Sequence, residues 1–149
     1  MTISETSLQD LVRMGKLKFA PSAQNEFEQL VRAGRRRLID ARNEALATES
    51  RFDIAYNACN VLTLAAFRWK GLRPNTAIPL FLLLPYLMVM DATAKKTLAK
   101  SYEVAHSEGL EPLDYGLAVD LIQVVMNLLS RVEGLGPVLT EADIDIWTQ

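Results

Sequence analysis

The chain has 149 residues, 50% of them hydrophobic, and its 16 lysines and arginines nearly balance 18 acidic residues. That length suits one domain with a single sizeable core. The small net charge of −2 excludes a global field drawing the protein to nucleic acid or an anionic membrane, so any polyanion site must be local.

The lone cysteine, Cys59, has no internal disulfide partner and fits a reducing cytoplasm. The opening "MTISETSLQD" lacks the basic start and apolar stretch of a secretory signal, so a cytoplasmic protein is expected. Helical punctuation recurs and strand alternation is absent, which predicts an all-α fold. A first helix is predicted over Ser4 to Met14. "KFAPSAQN" then breaks the pattern and places Ser22 to cap a second helix from about Ala23 to Ala47. That helix repeats Phe27, Leu30, Val31, Gly34, Leu38, Ala41 and Ala45 on one face.

The third helix is predicted from Ser50, where Asp53 approximates a capping box with the shorter acid. Phe52, Ala55, Tyr56, Cys59, Leu62, Ala66 and Trp69 form its stripe, widened by Ile54, Val61 and Ala65, so it is expected to be the most buried helix. Gly71 stops it, and Pro74 forces an extended backbone at Arg73. "AIPLFLLLPYLMVM", residues 77 to 90, is uncharged and strongly apolar. It is shorter than the ~20 residues of a membrane span and is interrupted by Pro79 and Pro85, so no membrane role is expected. A segment apolar nearly all round is expected to be buried on more than one side, which makes it a dimer-interface candidate.

"DATAKKTLAKSYEVAH" continues helically from about Asp91 and ends before Gly109. Pro112 suits the first turn of the last long helix, whose face is Leu117, Leu121, Val124, Val125, Leu128 and Val132. In the tail, Thr140 is placed to cap a short terminal helix, with Trp147 available to dock. Short connections favour antiparallel neighbours, so the expected fold is an up-and-down four-helix bundle with short additional terminal helices.

Two clusters carry candidate chemistry. In "VRAGRRRLIDARN", Arg32, Arg35, Arg36 and Arg42 can share an outward face, and guanidinium forks suit phosphate. Against this, Glu28 lies four before Arg32 and Asp40 four after Arg36, the spacing of an ordinary solvated helix face. The second cluster is "AKSYEVAH", around the only histidine. Lys100 and His106 fall about 120° apart on a straight helix, whereas Tyr102 and Glu103 share the side of His106. A histidine there can simply finish the helix, or an imidazole beside a cation can act as general base on an RNA 2′-hydroxyl. No zinc constellation, P-loop, dinucleotide fingerprint or nucleophile elbow is present, so neither metal nor cofactor is expected.

The stretch "RRLIDARNEALATESRFDIAYNACNVLTLAAFRWKGLRP" resembles the HEPN superfamily of small prokaryotic helical proteins, through its DAR segment, "RFDIAYNA" and an alanine-rich helix ending at a glycine and "RP". The likeness covers roughly residues 36 to 74. It implies a homodimeric four-helix bundle whose late helices form the subunit interface, and metal-independent ribonucleases of toxin–antitoxin and other conflict systems. These are often encoded beside a minimal nucleotidyltransferase, which is then a partner class. The family's motif is an arginine followed after four to six residues by histidine. No arginine here has that spacing; Lys100 does, with Ser101 at the usual polar position. The resemblance thus implies His106 as general base and Lys100 as charge stabiliser, assisted by Ser101 or Tyr102, in a degenerate or altered site. The expected function is a dimer binding RNA or a nucleotide-bearing partner; the alternative is a non-catalytic interaction module, such as an antitoxin or adaptor.

Overall fold

The computed structural model describes residues 5–75 and 80–143. The chain is all-α in class. Its helices are α1 (Glu5–Arg13), α2 (Gln24–Ala41), α3 (Thr48–Trp69), α4 (Ala92–Ala105) and α5 (Tyr115–Glu133), with a 3-10 helix at Leu80–Tyr86. The expected docking of Trp147 and the start of segment 77–90 lie outside the described residues.

α3 is the central element. Its alanines 55, 58, 65 and 66, with Cys59 and Leu62, are fully buried, and α2 and α5 pack on it. The α2 contact is close because of Gly34: a Cβ there would stand 2.4 Å from Leu62 Cδ2. Two buried arginines fix the hairpin as antiparallel. Arg51 Nε donates to the Ala41 carbonyl at one end (2.8 Å), and Arg68 Nε donates to Glu26 Oε1 at the other (2.8 Å). α5 runs antiparallel to α2, because Arg35 pairs with Glu133 while Gln24 Oε1 accepts from Val138 N. α4 rests on α5 and the 3-10 helix.

Several boundaries depart from the sequence reading. α2 ends at Ala41 rather than Ala47, because Asn43 Oδ1 accepts from Ala45 N and draws the backbone into a turn. Ser22 does not cap: its hydroxyl donates to the Ala23 carbonyl, and Ala23 is the N-cap. α3 starts two residues early, at Thr48, so Ser50 lies inside its first turn and no Ser50–Asp53 box forms. Pro112 precedes the cap of α5, which is Asp114, through Oδ1 to Leu117 N (2.7 Å). Thr140 does cap, exchanging bonds with Asp143.

Strands also exist where none were expected. β1 (Leu17–Phe19) pairs antiparallel with β2 (Leu72–Pro74). So short a ribbon is marginal alone; here Leu17 and Leu72 are buried with Leu8, Leu11, Phe67 and Leu83 in a second small core. Gly71, at φ +79°, makes the left-handed turn from α3 into β2.

The described part of the apolar segment is a different object from the buried helix expected. Pro85 lies within the 3-10 helix, whose Phe81 and Leu84 enter the main core while Leu83 enters the second. It is a bridge between two cores. Of its described large apolar residues only Val89 is exposed. Elsewhere, Ile39 on α2, Leu46 in the loop after it, Leu110 before α5, and Tyr115 and Val119 on α5 are also exposed.

Candidate functional site

Of the four residues of the histidine cluster, His106 and Tyr102 meet, while Lys100 and Ser101 lie in settings of their own. His106 is the C-cap of α4. Its Nδ1 donates to the Tyr102 carbonyl (3.0 Å), and its exposed ring lies on the Tyr102 ring with centroids 4.1 Å apart. The imidazole thereby adds a second bond to a carbonyl that already accepts the His106 backbone N–H (3.1 Å), closing the helix end.

Lys100 faces away from it. The ammonium pairs with Glu111 and lies 3.6 Å from Glu103. The Glu111 hydrogen bond, aided by both carboxylates, holds the lysine above its ordinary value. A cation held by two carboxylates presents a negative neighbourhood to a phosphate. Ser101 is fully buried, its hydroxyl turned into the protein without a hydrogen-bond partner among the described residues. Within one chain, then, base, cation and hydroxyl do not converge on a point where a phosphodiester could sit.

The arginine face divides. Arg35 pairs with Glu133, tying α2 to the end of α5. Arg32, Arg36 and Arg42 are exposed and form no ion pair among the described residues; the Glu28–Arg32 and Arg36–Asp40 stitches are not made. Arg32 and Arg35 share a cleft of about 400 Å³ with Glu28 and Glu133, so its charge is mixed.

Among the described residues no three His, Cys, Asp or Glu side chains are grouped to hold a metal. Cys59 is sealed in the core, and burial pushes its thiol up to about 12, far from a nucleophile's range.

Three features escaped the sequence reading. Arg68 is 1% exposed. Besides Glu26, it reaches the carbonyls of Ala20 (2.7 Å), Leu72 (3.0 Å) and Pro21 (3.2 Å), locking the end of α3 to the sheet and the start of α2. That hydrogen bond holds the Glu26 carboxyl below its ordinary range. No local pattern marks such an arginine.

The second feature was legible. Beside the buried stripe of α5, Tyr115, Val119, Ile122, Met126 and Leu129 recur at alternating spacings of four and three, a heptad seam. Tyr115 is 59% and Val119 39% exposed, Met126 and Leu129 are half-buried, and Ile122 is buried. α5 is the one described helix long and apolar enough to cross a membrane by length and composition. Its other face packs into the core through Ala118, Leu121, Val125, Leu128 and Val132. The third feature is a cleft joining Asp91 to Arg131, forty positions apart.

No family model matches the chain, and neither a curated protein nor a solved structure matches it.

Proposed function

We propose that the chain is a non-catalytic association module, a helical bundle that pairs with a second copy along the outer seam of α5 and the adjoining end of α2. The observation that carries this is the second heptad stripe. α5 has a second apolar seam whose Ile122, Met126 and Leu129 pack on the bundle's own core, while its N-terminal end, Tyr115 and Val119, is left exposed. One turn beyond Arg35, Ile39 of α2 is 60% exposed and offers a further apolar contact. Exposed apolar side chains on a helix face suit a protein interface. This association is the one implied by the HEPN resemblance for late helices. The carboxylates around Lys100 and the enclosure of Ser101 support the absence of nuclease chemistry.

Sedimentation velocity tests it. Wild type is expected to be a dimer at micromolar concentration, and Val119→Glu a monomer of unchanged helicity; a monomeric wild type overturns the proposal. RNA cleavage by wild type that disappears in His106→Ala would overturn the non-catalytic half.

A second reading is favoured by one observation, the three guanidiniums of Arg32, Arg36 and Arg42 that lack acidic partners among the described residues. They suit a polyanion such as RNA. Arg32→Ala with Arg36→Ala is then expected to weaken RNA binding and flatten its salt dependence, and unchanged affinity removes the reading.

A further inference from the structure

A cleft of about 380 Å³ opens between the chain that follows the 3-10 helix, the first turn of α4 and the last turns of α5. Leu84 and Leu128, both buried, and Val124 give it an apolar wall, to which Met88 and Met90 add adaptable thioethers. Asp91 and Arg131 line the same cleft.

Opposite charges in a shared cleft ordinarily pair. These two, both solvent-exposed, form no ion pair among the described residues; each is held instead by a backbone partner. Asp91 Oδ1 is engaged by Ala94 N (2.7 Å), and Arg131 Nη1 donates to the Val89 carbonyl (2.7 Å). Backbone partners thus hold the two side chains in place. Asp91 Oδ2 and the remaining guanidinium donors have no partner among the described residues.

We propose that this cleft binds a small zwitterion with an apolar side chain, of the apolar α-amino acid class. The ammonium pairs with Asp91, the carboxylate with the guanidinium of Arg131, and the side chain lies against Leu84, Leu128 and the methionines. The charge pattern selects this class. A phosphate-like anion meets Asp91, a simple cation meets Arg131, and a hydrocarbon would desolvate both charges without replacing their hydration. Only a ligand carrying both signs satisfies both groups. The volume lies within the roughly 300–1,000 Å³ of small-molecule sites, and pre-set polar groups lower the ordering cost of binding. The cleft uses the side of α5 that carries Val124, not the Tyr115–Val119 seam, so the inference is independent of the association proposal.

The test is an amide NMR titration of the full chain with leucine, with isocaproate, which lacks the ammonium, and with isopentylamine, which lacks the carboxylate. Leucine is expected to give saturable shifts at Ala94, Val124 and Asn127, and both analogues to bind more weakly. Asp91→Asn preserves helix capping and is expected to weaken leucine by about tenfold or more while sparing isocaproate. Arg131→Met is expected to weaken leucine and isocaproate together. Absence of saturable shifts in wild type throughout the millimolar range overturns the proposal. So does isocaproate binding wild type as tightly as leucine, or leucine affinity unchanged in both variants.

Discussion

Arg68 and the arginines of α2 are the same chemical group put to opposite uses. Arg68 is enclosed, and its guanidinium meets one carboxylate and three backbone carbonyls. Arg32, Arg36 and Arg42 stand in solvent without acidic partners among the described residues. A buried guanidinium is tolerated only where its donors are met, so Arg68 is committed to holding three chain segments together. The exposed set carries no such duty and remains available to a partner. The lesson is that arginine density along the sequence points away from the arginine on which the fold depends.

The largest test of this contrast is Arg68→Met. Removing the guanidinium leaves three carbonyls unpaired at about 1–3 kcal/mol for each that stays buried, while Glu26, 38% exposed, remains solvated. For a chain of this size the unfolding midpoint is expected to fall on the order of 10 °C. A smaller effect belongs to Gly34→Ala, where the new methyl meets Leu62 inside the hairpin. Overpacking of about 1–3 kcal/mol is offset by about 1 kcal/mol of better helix propensity, leaving a net loss of up to about 2 kcal/mol by calorimetry.

The clamp should also be visible in acid. Glu26 is held below its ordinary 4.5 by Arg68, so the folded state binds its proton less readily than the unfolded chain does. The stability it contributes is complete above that value and disappears as pH falls below it. Glu26→Gln is expected to flatten this part of the stability profile, and an unchanged acid limb would contradict the assignment. At the far end of the scale, Arg36→Ala and Lys100→Gln are expected to leave the unfolding midpoint unchanged within error, as exposed charges do.

The histidine end shows where a spacing ceases to be informative. Lys100 and His106 have an interval that suggests a motif, yet a separation of six turns them to different sides of α4. What Lys100 meets is Glu111, in the loop beyond the helix. The buried stripes of α2 and α3, the stop at Gly71 and the cap at Thr140 were readable because each depends on residues within a turn or two. The strands were missed because three-residue segments carry too little alternation, and they persist only by sharing a core with α1 and Phe67. The seam of α5 was present as a regular spacing beside the stripe that was read; its exposure depends on which of the two faces the bundle covers.

The sequence by itself determined an all-α chain with a central alanine-rich helix, since helical period, caps and breakers act over a few residues. Only the tertiary structure decided which arginine is buried, that Asp91 and Arg131 share a cleft, and that Ile39, Tyr115 and Val119 are left exposed. Those outcomes arise from contacts between segments distant along the chain, which no local period, cap or breaker encodes.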